Sequence, residues 1–303
     1  MSDHVRIVEV GPRDGLQNEK AILATEDKFE FIRRLAEAGL KTVEITSFVK
    51  APAIPQMADA TELYTMVRER LGASGVGFPC LVPNQHGYDD AMALGVREIA
   101  LFTATSDTFA RKNVNASVEE TFARMRPLAE QARRDGVKVR AYVSTAFGCP
   151  YEGEIPLARL EKVVADCLAM GVYEVSVGDT TGVARPKQVQ QALRALVASH
   201  GASKLAMHFH DTRGMAIANI LTSLESGIRT FDSSAGGLGG CPYAMGATGN
   251  VATEDVWYLC HAQGLATGVD LAKLVEASSF ILAKVGKETP SKFLRAYLNT
   301  GKI

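Results

Sequence analysis

The 303-residue chain predicts a (β/α)8 TIM barrel with short additional C-terminal helices, and three observations carry that expectation. Eight short β-rich runs alternate with amphipathic helical segments almost from end to end. The runs are mostly apolar, as strands must be when they are filled on one side and covered by helices on the other. No Gly-rich turn of the dinucleotide-binding kind follows the first run, which disfavours an open Rossmann-type sheet.

The expected strands are 5–10 (VRIVEV), 41–46 (KTVEIT), 76–82 (VGFPCLV), 97–103 (REIALFT), 138–144 (KVRAYVS), 173–178 (YEVSVG), 204–210 (KLAMHFH) and 229–234 (RTFDSS). A helix is expected from Thr25 to Gly39. Glu26 and Asp27 sit in its first turn, where the helix dipole favours negative charge, and Phe31, Ile32, Leu35 and Ala38 share one face. A second helix opens on the capping box Ser117-Val118-Glu119-Glu120 and ends at Gly136. Further helices are expected near 252–263 and from Asp270 to Ala283, before a short basic tail. No repeat, low-complexity tract or linker interrupts the pattern. The expectation is one catalytic domain, 1–303, with the barrel over about 5–263 and a helical appendage over about 268–303.

Hydrophobic residues make up 47% and charged residues 22%, the composition of a globular protein with a large core. With 33 basic against 34 acidic residues, the chain carries no electrostatic footprint for nucleic acid or an anionic membrane. No apolar run is long enough to span a bilayer. The start, Met1-Ser2-Asp3-His4, lacks the character of a signal or transit peptide, and Gly301-Lys302-Ile303 is not a peroxisomal address. The five cysteines (Cys80, Cys149, Cys167, Cys241 and Cys260) form no CxxC pair, so neither a disulfide framework nor a structural zinc site is expected. A cytoplasmic location follows as the expectation.

Active sites of such barrels form where strands end and βα loops begin. The first run leads into Gly11-Pro12-Arg13-Asp14-Gly15-Leu16-Gln17, a dense polar turn that alone would read as a surface salt bridge. Glu44 interrupts an apolar run, so it faces either a polar barrel mouth or a costly burial. Asp179 ends the sixth run in Gly178-Asp179-Thr180-Thr181-Gly182, where it either caps the turn or serves the site. The seventh run holds the sharpest signal, His208-Phe209-His210: residues two apart on a strand face the same way, and two converging imidazoles bind a metal ion. The glycine-rich loop from Gly236 to Asn250 carries Cys241 and is suited to move and to approach a ligand closely. Asn250 is either a helix N-cap or a ligand through its amide oxygen. Asp14, His208, His210 and Asn250 together offer two nitrogens and two oxygens with no thiolate. That set suits Mg2+ or Mn2+, with Co2+ as a substitute, and leaves room for a bidentate substrate.

These residues sit in segments that resemble the hydroxymethylglutaryl-CoA lyase family, within the wider group of metal-dependent lyases and Claisen-type synthases on TIM barrels. The resemblance covers nearly the whole chain through VEVGPRDGLQNEK (8–20), VEITSFV (43–49), GCPYEG (148–153), GDTTGV (178–183), HFHDTRG (208–214) and GLGGCPYAMGATGNVATED (237–255). It implies cleavage of 3-hydroxy-3-methylglutaryl-CoA (HMG-CoA) to acetyl-CoA and acetoacetate, as in leucine degradation, by a homodimer whose partner molecule is an acyl-CoA. It also implies Asp14, His208, His210 and Asn250 as metal ligands and Arg13 as the group that stabilises the enolate of the departing acetyl-CoA. Glu44 and Asp179 become acidic residues needed for turnover, His208 the usual proton shuttle, Cys241 the loop residue that transfers a proton, and Gln17 a supporting substrate contact. One departure stands out: human-type sequences have tyrosine after His-Asp-Thr, and this chain has Arg213. Lyases for related substrates such as citramalyl-CoA stay open, whereas a synthase is disfavoured by the GGCPYA loop. A zinc amidohydrolase would need His-x-His on the first strand with more histidines downstream, and only His261 follows. A catalytically dead barrel would have lost one of Arg13, Asp14, His208 or Cys241, and all four are present.

Overall fold

The computed structural model describes residues 3–50, 54–240 and 249–303. The expected runs form one parallel sheet of nine segments: β1 (Arg6–Glu9), β2 (Thr42–Val43), β3 (Thr46–Ser47), β4 (Cys80–Leu81), β5 (Glu98–Ala104), β6 (Lys138–Ser144), β7 (Glu174–Asp179), β8 (Leu205–Phe209) and β9 (Thr230–Ser233). They pair in the order β2-β1-β9-β8-β7-β6-β5-β4-β3. The two ends of that order are halves of a single stretch of chain, interrupted only at Glu44 and Ile45. The Glu44 amide donates to the Glu9 carbonyl on one side at 2.8 Å. On the other side the Val43 and Ile45 amides donate to Gly77 and Pro79 at 3.0 and 3.1 Å. Residues 42–47 therefore pair with both neighbours and close the sheet into an eight-stranded barrel.

The helices that cover it are α1 (Thr25–Glu37), α2 (Ala60–Leu71), α3 (Gln85–Ala93), α4 (Asp107–Val114), α5 (Val118–Arg134), α6 (Leu157–Ala169), α7 (Pro186–His200), α8 (Ala216–Glu225), α9 (Thr253–Ala262), α10 (Leu271–Val285) and α11 (Lys292–Thr300). In α1, Phe31, Ile32 and Leu35 are fully buried, as their spacing requires. The capping box of α5 is present in both directions, with Ser117 Oγ accepting from the Glu120 amide at 3.2 Å and Glu120 Oε2 from the Ser117 amide at 2.6 Å. The C-terminal stretch holds more helix than expected. Ser291 caps α11 through the Leu294 amide at 3.0 Å, and Leu294 is fully buried, so the basic tail is folded back onto the protein. α10 lies along α1, where Lys284 pairs with Asp27 at 2.8 Å and Arg34 stacks on the Phe280 ring at 4.7 Å.

The barrel interior departs from the apolar filling expected of it. Glu44, Arg140, Glu174 and Asp232 are all at most 2% exposed. Buried charges survive only in compensating pairs, and here they are arranged as a ladder. Arg140 donates through Nε to Glu174 Oε2 at 2.8 Å, through Nη2 to Asp232 Oδ1 at 2.6 Å and through Nη1 to the Tyr142 hydroxyl at 3.0 Å. The ladder rises to the C-terminal ends of the strands. No helix among the described residues is long and apolar enough to cross a membrane.

Candidate active site

β1 runs into a wide helical turn over Gly11–Gly15, in which the Gly15 amide reaches back to the Val10 carbonyl at 3.1 Å. A Cβ on Gly11 would come within 2.6 Å of the Glu9 carboxylate, which accepts from the Gly11 amide at 2.8 Å, so a larger residue would have to displace it. The turn aims Arg13 into the barrel mouth, where it is 6% exposed. Its Nε donates to Glu44 Oε1, and its Nη1 to Asp14 Oδ1 at 2.7 Å. The Tyr142 hydroxyl donates to the other Glu44 oxygen at 2.5 Å. The surface-salt-bridge alternative for Arg13–Asp14 is therefore replaced by a buried one, and the Glu44 carboxylate is fully paired. Burial pushes the Glu44 carboxyl up against the pull of Arg13. Burial also works to raise Asp14, but Arg13, His208 and His210 hold it below the usual carboxylate value.

From the end of β8, His208 and His210 converge with ring centroids 5.3 Å apart. One potential ligand atom each from Asp14, His208 and His210 lie within 4.8 Å of one another. The Asp211 amide bonds to the Gly249 carbonyl at 2.8 Å, which brings Asn250 beside His210, and Asn250 Nδ2 donates to Asp14 Oδ2 at 2.8 Å. The helix-cap alternative for Asn250 fails, since Ala252 occupies the N-cap of α9. Asn250 Oδ1 and His210 Nδ1 are buried with no hydrogen-bond partner among the described residues. Two lone pairs left without donors, beside a carboxylate and a second imidazole, are what a bound cation satisfies. Burial lowers the His210 pKa to about 3, helped by the charge of His208, so its imidazole is neutral and free to coordinate. The donor set fits a divalent metal of the Mg2+ or Mn2+ type.

Residues 4–281 match the HMGL-like protein family. The chain belongs to that family. It is 48% identical over 299 residues to the cytoplasmic 3-hydroxy-3-methylglutaryl-CoA lyase of Mus musculus, covering 99% of this chain and 86% of the relative. The crystal structure of hydroxymethylglutaryl-CoA lyase from Pseudomonas aeruginosa superposes with a TM-score of 0.95 at 44% identity, covering 99% of each chain. An HMG-CoA lyase from A. baumannii, solved in complex with coenzyme A and 3-methylmalate, superposes at 0.93 with 34% identity, covering 100% of this chain and 98% of the other.

Around the cluster of this HMGL-like protein lies a cavity of about 530 Å3, lined among others by Arg13, Asp14, Gln17, Tyr142, His208 and His210. Gln17 Oε1 and Ser47 Oγ are buried in its wall, without partners among the described residues. Gly240 also lines it; Cys241, the next residue, lies outside the described residues. Asp179 is 1% exposed and turns its carboxylate to the following loop, accepting from the Val183 and Ala184 amides at 3.0 Å each. Burial lifts its pKa to about 6 despite those two bonds. It holds the loop at 180–185, which is the turn-capping alternative. Arg213 serves the same loop, donating to the Thr181 and Gly182 carbonyls at 2.8 and 3.2 Å beside a neighbouring cleft of about 400 Å3. Tyr142, Ser47, Arg140 and Asp232 are site residues that the sequence reading passed over. The signal for two of them was available: a charged residue in the middle of an apolar run, as for Glu44.

Proposed function

We propose that this protein is a divalent-metal-dependent carbon–carbon lyase that cleaves HMG-CoA into acetyl-CoA and acetoacetate. The observation that carries the reading is the pair of unpartnered ligand atoms on His210 and Asn250, set beside Asp14 and His208 and facing one cavity with buried Arg13. The substrate follows from the relatives, whose names and lengths match across nearly the whole chain.

Asp14, His208, His210 and Asn250 would hold Mg2+ or Mn2+, with Co2+ as a substitute. Such an ion supplies acidification of the tertiary hydroxyl and a common anchor for the substrate oxygens. In a retro-Claisen cleavage the hydroxyl loses its proton, the C–C bond breaks, and the electron pair leaves with acetyl-CoA as its enolate. Arg13 supplies fixed positive charge where that enolate develops, an effect worth about 2.7–4 kcal/mol for a single well-placed donor. Glu44 and Tyr142 keep its guanidinium in place. With Nδ1 facing Asp232, His208 would hold the ion through its other nitrogen. It would serve as the proton shuttle only when that nitrogen is off the ion, and otherwise the hydroxyl proton would leave to water in the cavity. Cys241 would return a proton to the enolate carbon. Gln17 and Ser47 offer unsatisfied oxygens to the substrate. Asp179 contributes by fixing the loop at 180–185.

The same reading makes the protein a single-domain homodimeric enzyme of the cytoplasm that acts in leucine breakdown. The names of its cytoplasmic relatives, and the free, buried state of the four cysteines among the described residues, support the location. A second reading is cleavage of a related 3-hydroxyacyl-CoA such as citramalyl-CoA. The 3-methylmalate held with coenzyme A in the A. baumannii relative, a positional isomer of citramalate, supports a hydroxy-dicarboxylate substrate class of that kind. Steady-state cleavage of HMG-CoA and citramalyl-CoA under identical metal concentrations separates the two. A kcat/KM higher for HMG-CoA supports the first reading, and the reverse order replaces it with the second.

A further inference from the structure

Asp232 is an acid beside the cluster with a side chain that is 0% exposed, yet it is not one of the converging ligands. It lies on β9 directly opposite His208 on β8, with the two residues in register. Three groups pin its carboxylate. Arg140 Nη2 donates to Oδ1 at 2.6 Å, Ser176 Oγ donates to Oδ2 at 2.6 Å, and His208 Nδ1 lies 3.3 Å from Oδ2. Arg140 also donates through Nε to Glu174 Oε2 at 2.8 Å.

We propose that Asp232 is the positioning residue of the metal site, acting through His208. The inference rests on the metal-lyase reading above and deepens it. A carboxylate facing Nδ1 keeps the imidazole proton on that nitrogen, which leaves the Nε2 lone pair for a cation and makes it a stronger donor. The fixed carboxylate also sets the plane of the ring, so His208 meets Asp14 and His210 without searching rotamers. Ser176 and Arg140 are the outer supports of this arrangement. The competing role is purely structural, with Asp232 no more than a counter-ion for Arg140. The two roles differ in what a conservative change disturbs, because Glu174 neutralises the same arginine but does not touch His208.

The test uses the full-length protein stripped with chelator and reloaded with Mn2+ by calorimetry, then with Co2+ for its visible absorption bands. Asp232→Asn is expected to weaken Mn2+ binding by about 10–100-fold and to shift the Co2+ bands. Glu174→Gln is expected to lower thermal stability while leaving Mn2+ affinity within about twofold of the unmodified protein. Unchanged affinity and spectrum in Asp232→Asn would overturn the inference and leave the metal reading standing. Equal weakening in both variants would overturn it too, since the effect would then belong to the buried network at large. Absence of Mn2+ binding by the unmodified protein would instead remove the metal reading itself. If Asp232→Asn does not fold, Ser176→Ala decides: a shifted Co2+ spectrum with weaker binding supports the inference, and an unaltered one overturns it.

Discussion

Two sets of buried carboxylates stand on opposite sides of the barrel wall. Inside the barrel, Glu44, Glu174 and Asp232 face the guanidinium groups of Arg13 and Arg140. Between the wall and α9, Glu9 and Glu254 are equally buried but meet neutral donors. Glu9 accepts from the amides of Gly11 and Ala235 at 2.8 and 2.9 Å and from the Thr253 hydroxyl at 2.7 Å. Glu254 accepts from the Gly236 amide at 3.0 Å and from the Ser278 hydroxyl. Burial works to raise Glu44, Asp232, Glu9 and Glu254 alike; Arg13 does not offset it at Glu44, whereas the cations facing Asp232 do. Asp232 is held well below the usual carboxylate range by Arg140 and His208, whereas Glu9 rises to about 7 and Glu254 to about 8. Fixed negative charge is thus kept at Asp232, beside the proposed metal site. The carboxyls that staple the loop at 235–240 can take up a proton near neutrality.

The largest break in this comparison should come from removing a cation of the inner set at the cavity. Arg13→Met is expected to lower kcat for HMG-CoA cleavage by about 10²–10³-fold. Mn2+ affinity measured alongside should stay near that of the unmodified protein, and a rate within tenfold of it would remove Arg13 from the chemistry. Arg140→Met removes the guanidinium that Asp232 and Glu174 share, leaving Asp232 buried without it and Glu174 with Arg6, so urea unfolding should report a stability loss of about 3–5 kcal/mol. The outer set sharpens the contrast through pH. A carboxyl whose pKa is higher in the folded than in the unfolded chain holds a proton that unfolding releases. Its stabilising contribution is whole below about 4.5 and is lost as pH rises towards about 8 for Glu254. Glu254→Gln should flatten that decline, a difference of a few kcal/mol between unfolding curves at acid and alkaline pH. The smallest effect belongs to Arg213, whose two bonds to backbone carbonyls are at the surface. Arg213→Tyr should cost about 1 kcal/mol of stability and move KM for the acyl-CoA less than tenfold.

The barrel was legible in the sequence because a parallel strand buried on both faces announces itself as a short apolar run, and all eight runs became barrel strands. The break at Glu44 and Ile45 was not legible, since it arises from pairing with two neighbours at once. α4 also went unread: it is only a turn or two long, and its start is fixed by Ser106, whose Oγ accepts from the Phe109 amide at 3.0 Å. At the site, the His-x-His spacing and the Arg-Asp turn pointed to residues that do converge. Arg140 and Asp232 escaped because each sits inside a run read for its apolar character, although a charge within such a run calls for a buried partner. The cap role considered for Asn250 depended on a helix boundary two residues away from where it falls. That boundary frees the side chain to reach Asp14.

The most direct test of the proposed chemistry is acetoacetate release from HMG-CoA by chelator-treated protein, measured with Mg2+ restored and in excess EDTA. The account predicts release only when the ion is restored, and none above background for Asp14→Asn under the same conditions. Cleavage in EDTA at the rate seen with Mg2+, or full activity in Asp14→Asn, would contradict it.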